Sequence, residues 1–92
     1  MKVTVEFYGV ARYWAGAKEC QLELDEGADL RDVLIEVARR FPRLVGERVI
    51  SHGCELSQSF ALCTDDGIVI QNLDAPIADN DRLLLISAIS GG

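Results

Sequence analysis

Alternating apolar and polar positions predict two strands at the start of the chain. Between residues 3 and 7, apolar residues occupy every second position and polar residues the others, which is the period of a half-buried strand. Residues 20–24 repeat the pattern, so we expect the two strands to pair as a hairpin. The long connection, residues 10–18, is expected to form a turn or a short helical piece.

Apolar spacings of three and four predict an amphipathic helix after the hairpin. Asp29 suits the N-cap, and Asp32 at the third helical position favours an approximate capping box. The apolar stripe consists of Leu30, Val33, Leu34, Val37, Ala38 and Phe41. Pro42 disfavours a helical conformation at Phe41, so the helix is expected to end there.

The second half of the chain is less regular. Residues 43–59 show no clear period and are expected to form a flap or a variable insertion, in which residues 44–50 could make a short helix. Residues 60–64 predict a third strand, and Asp65, Asp66 and Gly67 predict a hairpin turn into a short return strand over residues 68–70. Residues 83–88 are almost continuously apolar and predict a central strand.

This order of elements predicts an α+β fold. A single amphipathic helix must bury its stripe against one face of a sheet, and the helical crossover allows the first and last strands to run parallel in the middle. That arrangement is the β-grasp, or ubiquitin-like, fold. We expect one β-grasp domain over residues 1–88 and an extended tail over residues 89–92.

The net charge and composition of the chain argue against some classes of binding partner. The 92 residues carry a net charge of −6, which argues against nucleic acid as a partner because nucleic acid requires a basic surface. No run of 18 apolar residues is present, so no membrane partner is expected. The charged, alternating start does not resemble a signal peptide, and the expected location is the cytoplasm.

The reactive side chains form no catalytic or metal-binding pattern. Cys20, Cys54 and Cys63 are an odd number without a CxxC pair, so they are expected to be free thiols and to be too few for a ferredoxin-type cluster. His52, the only histidine, is expected to be a loop residue. The sequence therefore predicts no metal site, no bound cofactor and no catalytic residue of its own.

The chain ends on Gly91 and Gly92 directly after the predicted last strand. Glycine lacks a Cβ and passes through narrow spaces, and a terminal carboxylate is ionised at neutral pH. Four extended residues reach about 13 Å, far enough to enter an active site on another protein. In this interpretation Ile89 anchors the tail, Ser90 continues it and Gly92 reacts; a trimmed or flexible end is the alternative.

Four segments together form a recognisable set: residues 5–12 (VEFYGVAR), residues 30–34 (LRDVL), residues 76–81 (PIADND) and the final Gly91 and Gly92. They resemble the small sulfur carriers of the molybdopterin synthase small subunit and thiamine sulfur carrier group. The usual Asp-Gly-Asp before the last strand is Asp-Asn-Asp here, a mild change because asparagine also adopts left-handed geometry. Residues 87–90 lack the prolines that many small subunits carry.

The resemblance implies that an activating enzyme uses ATP to adenylate the Gly92 carboxylate, which then becomes a thiocarboxylate. A second partner, a sulfur-accepting large subunit or synthase, would take the sulfur, in the leading case for molybdopterin. The chain would then be the small carrier subunit of a sulfur-transferring synthase. Carriage of sulfur for thiamine, cysteine or tRNA thiolation, or protein modification, stays open, as does a plain β-grasp interaction module.

Strand alternation also predicts a docking face. If the apolar residues of the first strand face the helix, Tyr8 faces away, and by the same parity so do Leu84 and Ile86. These side chains, with Ile70 as a neighbour, would form an exposed apolar patch beside the tail, as partner sites do. The alternative is that residues 43–59 fold over the patch and bury it.

Overall fold

The computed structural model describes residues 1–46, 49–53 and 55–87. In these ranges the chain forms β1 (Lys2–Phe7), α1 (Gly9–Ala15), β2 (Glu19–Glu23), α2 (Leu30–Arg40), a 3₁₀ turn (Pro42–Leu44), β3 (Phe60–Thr64) and β4 (Asp81–Ser87). Cys54, residue 88 and the predicted tail residues Ile89, Ser90, Gly91 and Gly92 lie outside the described residues, so the predictions made for them stay predictions.

The strands form one mixed sheet in the order β2-β1-β4-β3. β1 pairs antiparallel with β2 and parallel with β4, where Phe7 lies opposite Leu85. β3 pairs antiparallel with the other side of β4. The prediction that the first and last strands lie side by side in the middle is confirmed, because the helical crossover between them permits a parallel pair.

Helix α2 begins and ends where the sequence predicts. The Asp32 backbone N–H donates to Asp29 Oδ1 over 3.0 Å, and the Asp29 N–H donates to Asp32 Oδ2 over 3.0 Å, which completes the capping box. The ring of Phe41, the C-cap residue, meets the Phe7 ring edge to face, with the centroids 5.1 Å apart. The fully or almost fully buried residues of the helix are Leu30, Val33, Leu34 and Val37. The helix thus covers one face of the sheet.

The expectation of a flap or insertion at residues 43–59 is wrong for the part that the structure describes. Leu44, Val49 and Ile50 are completely buried and belong to the core. Among the described residues 44–46 and 49–50, only Leu44 belongs to a helical element, a 3₁₀ turn, and the Ile50 N–H donates to the Leu44 carbonyl over 2.9 Å. The 3₁₀ turn contacts both α1 and α2, and these side chains join the core beside the two helices.

The hairpin after β3 is shorter than predicted. The Gly67 N–H donates to the Thr64 carbonyl over 2.9 Å, which confirms the turn, but the return strand shrinks to a single bridge between Cys63 and Val69. The cause lies a few residues downstream. The Arg31 N–H donates to the Leu73 carbonyl over 2.9 Å, and this bond draws the chain away from β3 toward the start of α2.

A left-handed asparagine sets the start of β4. Asn80 has φ of 69°, as expected for the residue that replaces the glycine of related sequences. Its N–H donates to the Lys2 carbonyl over 2.7 Å, and the Lys2 N–H donates to Asp79 Oδ1 over 2.7 Å. These bonds fix the register of β4 beside β1.

Candidate functional site

The route to Gly92 begins at one end of the sheet. The Tyr8 N–H donates to the Leu85 carbonyl over 3.1 Å, and Phe60 lies opposite Ser87. We call this end, formed by Tyr8, Phe60 and Ser87, the exit edge. Five further residues, 88–92, follow Ser87, and in an extended conformation they would span roughly 16 Å.

The face of the sheet opposite α2, which we call the open face, carries most of the predicted docking residues. Leu83 and Leu85 are buried toward α2, whereas Leu84 and Ile86 are half-buried on the opposite face, as the alternation predicted. Tyr8 is 37% exposed. The orientation of these side chains agrees with the sequence prediction, and their role in docking stays a prediction.

Ile70 lies on the other face, so its predicted place in this patch is wrong. The Ile70 N–H donates to the Leu62 carbonyl over 2.8 Å, and Ile70 lines a groove with Leu30 and Leu83 on the helix side. Val69, opposite Cys63, is 51% exposed and takes its place. We therefore define the open-face patch as Tyr8, Val69, Leu84 and Ile86.

A polar network borders the open-face patch. The Tyr8 hydroxyl donates to Glu6 Oε2, Arg82 Nη1 donates to Glu6 Oε1, and Arg82 Nη1 lies 3.6 Å from Glu19 Oε1. The hydrogen bond from Tyr8, followed by that from Arg82, lowers the pKa of Glu6. The same Tyr8–Glu6 bond raises the pKa of Tyr8. Sequence reasoning missed this network, although Glu6, Arg82 and Leu84 share the parity that could have revealed it.

Arg12 fixes the corner between β1 and α1. Its Nε donates to the Phe7 carbonyl over 2.9 Å, and its guanidinium carbon lies 5.3 Å from the centroid of the Tyr8 ring, a cation–π distance. The two contacts join the backbone at the end of β1 to a side chain of the open-face patch. The exit edge is thereby held in one geometry.

The described cysteines are poor candidates for chemistry. Cys20 and Cys63 are free and buried, and burial raises the pKa of both thiols, which disfavours the reactive thiolate. His52 is exposed in a turn. Across residues 1–46, 49–53 and 55–87, no cluster of three or more His, Cys, Asp or Glu side chains could hold a metal ion. No helix in those ranges is long and apolar enough to cross a membrane.

Comparison with models of known protein families identifies the family of this chain. The family model described as ThiS family matches residues 5–92, nearly the whole chain and including Gly91 and Gly92. The chain belongs to the ThiS family. The resemblance inferred from its motifs is thereby confirmed.

Several solved structures are similar in fold to this ThiS family member. SAMP1 from Haloferax volcanii, a small archaeal modifier protein, is 23% identical over 100% of both chains, with a TM-score of 0.84. A putative molybdopterin converting factor subunit 1 from Pyrococcus furiosus is 23% identical, with 97% of this chain and 99% of that chain covered and a TM-score of 0.71. Subunits 1 and 2 of the Helicobacter pylori molybdopterin-converting factor form a complex in which the matching chain is 21% identical, with 100% of both chains covered and a TM-score of 0.55.

At these sequence identities, similarity to solved structures shows the fold only, and it confirms the predicted β-grasp fold. Together with the family match, they show a β-grasp member of the ThiS family. The roles of individual residues, Gly92 first among them, belong to the proposal below.

Proposed function

We propose that this protein is a sulfur carrier whose Gly92 carboxylate is adenylated and then converted to a thiocarboxylate. The observation that carries the proposal is the ThiS family match over residues 5–92, which includes both glycines. The fold supports it, because β4 leads toward the tail from the middle of the sheet, where strands on both sides hold it. A firmly held strand is a suitable base for a tail that enters another protein.

The proposed chemistry needs an activated carboxyl group. A Gly92 oxygen attacks the α-phosphorus of ATP, the bond to pyrophosphate breaks, and an acyl-adenylate forms. A hydrosulfide equivalent then attacks the acyl carbon, and AMP leaves with the bonding pair of the mixed anhydride. These steps require ATP and a sulfur donor on the activating enzyme and no general base on the carrier. The carrier supplies its terminus and the surfaces that present it.

We propose molybdopterin biosynthesis as the destination of the sulfur and a synthase large subunit as the accepting partner. The support is the similarity to subunit 1 of molybdopterin converting factors, one of which is seen in complex with its subunit 2. The open-face patch beside the exit edge is the surface that we propose for docking. Tyr8, Leu84, Ile86 and Val69 would contact the partner while the tail enters its active site.

Protein modification is the second candidate, because the similarity to SAMP1, a modifier protein, covers both chains completely. In that case the ε-amino group of a lysine on a target protein attacks the activated Gly92 carbonyl, and an isopeptide bond forms. The two functions leave different products. A modifier accumulates as a branched glycine remnant on lysines of other proteins, whereas a carrier returns to the free carboxylate.

Mass spectrometry tests the proposal. The protein is incubated with the activating enzyme of its source, ATP and sodium sulfide, and we expect one terminal oxygen to be replaced by sulfur, with the mass change located on Gly92 by fragmentation. A variant that lacks Gly91 and Gly92 is the control and should accept no sulfur while its melting temperature stays unchanged. A folded wild-type protein whose Gly92 carboxylate stays unmodified under these conditions contradicts the proposal.

A further inference from the structure

The two outer strands of the sheet, β2 and β3, differ in how their free edges are covered. Beyond β3 the chain itself returns: the Ile70 N–H donates to the Leu62 carbonyl over 2.8 Å, and the Thr64 N–H donates to the Ile68 carbonyl over 2.9 Å. Strand β2 pairs with β1 on one side and has no strand on its other side among the described residues. An unpaired strand edge is a template for pairing with a strand of another molecule, so this edge requires protection.

The middle residues of β2 direct their backbone groups toward its outer edge. The Phe7 N–H donates over 2.8 Å to the carbonyl of Lys18, the residue before β2, so the Lys18 carbonyl points toward β1. In an antiparallel pair, successive residues direct their N–H and C=O groups to opposite sides of the strand. Glu19, Gln21 and Glu23 therefore direct theirs outward, with Gln21 at the centre of the strand.

Arg40, the last residue of α2, covers the centre of this edge. Its Nη1 donates to the Gln21 carbonyl over 2.5 Å, and a hydrogen bond from a charged donor is stronger than one between neutral groups. A strand that added to β2 would need to donate one of its own N–H groups to the same carbonyl. The guanidinium therefore holds the position that the added strand needs.

The charges of Glu19 and Glu23 act against one particular strand, which is β2 of a second copy. The antiparallel register that pairs all 5 residues of β2 with those of the copy places Glu19 of each molecule opposite Glu23 of the other. Both side chains are exposed, and like charges directly opposite each other are destabilising. Arg82 lies 3.6 Å from Glu19 but is also paired with Glu6, so a negative charge remains at this end of the edge.

We infer that Arg40 and the two glutamates keep the outer edge of β2 from pairing with the same strand of a second molecule, and so keep the protein monomeric. Arg40 occupies the central acceptor, and Glu19 and Glu23 oppose the matching register. The inference concerns the isolated chain and does not rest on the proposed function. Loss of both protections is expected to turn β2 into a dimer contact.

Sedimentation equilibrium over a series of protein concentrations tests the inference. The variants are the glutamate pair Glu19→Gln/Glu23→Gln and a triple variant that adds Arg40→Ala to this pair. The matched control adds Arg39→Ala instead, which removes the same charge one residue earlier on α2, where Arg39 Nε donates to Glu36 Oε1 over 2.9 Å within the helix. A reducing agent prevents disulfides between molecules, and thermal melting confirms that every variant is folded.

We expect the wild type to show the mass of one chain at every concentration, and the triple variant to approach the mass of two chains as the concentration rises. The glutamate pair and the matched control should associate more weakly than the triple variant and equally with each other. A wild type that associates, or a triple variant that stays monomeric, overturns the inference. A glutamate pair that associates as strongly as the triple variant overturns the role of Arg40.

Two further measurements locate the contact in the triple variant. The outward N–H of Gln21 should exchange its hydrogen at least about tenfold more slowly in the dimer than in the monomer, because it becomes bonded to the second copy. Adding Gln21→Lys should restore the mass of one chain, because the two introduced lysines would lie opposite each other. If neither effect appears, the triple variant associates through another surface, and the inference is wrong.

Discussion

The two faces of the sheet differ in what they bury, although the same strands build both. On β4, Leu83 and Leu85 are 3% and 0% exposed toward α2, whereas Leu84 between them is half-buried on the open face. The open face also holds the Glu6–Arg82 ion pair. Core burial and partial exposure on the open face therefore alternate from one residue of β4 to the next.

The largest effect is expected on the free energy of unfolding, from a substitution on the face of the sheet that packs against α2. Leu85→Ala should lower the free energy of unfolding by about 3 kcal/mol, because it removes a completely buried side chain and leaves a cavity. Leu84→Ala, the neighbouring residue on the open face, should cost less than about 1 kcal/mol. Urea unfolding of the two variants makes the comparison, and equal losses would contradict the separation of the faces.

The next largest effect is expected on affinity for a protein partner, from substitutions on the open face. Leu84→Asp or Ile86→Asp should weaken affinity for the sulfur-accepting large subunit about tenfold, which equals about 1.4 kcal/mol, because a charge is placed in an apolar contact. Isothermal titration calorimetry measures the affinity, with Ile35→Asp as the control on α2. The docking role of the open-face patch is wrong if Leu84→Asp binds like the wild type and is equally folded.

The hairpin after β3 allows the two faces to be compared at adjacent residues, Val69 and Ile70. Ile70→Ala should lower the free energy of unfolding by about 1 to 2 kcal/mol, because Ile70 packs against the core. Val69→Ala, whose side chain is half exposed, should change it by less than about 0.5 kcal/mol. Thermal unfolding of both variants checks the assignment, and a larger loss for Val69→Ala would reverse it.

The smallest effect concerns the polar network and its pH dependence. Hydrogen bonds from Tyr8 and Arg82 lower the pKa of Glu6 in the folded state, so ionised Glu6 favours folding above its unfolded pKa. This contribution is lost as the pH falls through the folded pKa. Glu6→Gln should therefore lower the melting temperature slightly at neutral pH and have no such effect in acid.

Melting temperatures of the wild type and Glu6→Gln across a pH series test this. Tyr8→Phe serves as a second variant, because it removes the larger of the two causes and should bring the pKa of Glu6 closer to its ordinary value. A difference between Glu6→Gln and the wild type that is the same at every pH would show that the charge of Glu6 is not responsible.

Local signals made α2 and the faces of β1 and β4 predictable. Asp29 and Asp32 are three residues apart, so the capping box can be read directly from the chain. The period of two likewise fixes which strand residues share a face once one of them is assigned to the core. The order of the elements then determined the β-grasp, because few arrangements of one helix and one sheet bury both apolar surfaces.

Features that depend on distant or register-sensitive contacts could not be predicted in this way. Whether Val69 or Ile70 faces outward depends on how many residues the turn takes up, which the sequence of the turn alone does not determine. The Glu6–Arg82 pair joins residues 76 positions apart. Leu44 is buried where its 3₁₀ turn contacts both α1 and α2, which is a property of the assembled layers.

The parallel pairing of β1 with β4 also dictates the order of events during synthesis. Phe7 leaves the ribosome 78 residues before its partner Leu85. Until then β1 has a neighbour on one side only, and the unpaired edge of the β1–β2 hairpin is open to association with other chains. Closing so long a loop is slow compared with local folding. The nascent chain therefore depends on its last strand to complete the middle of the sheet.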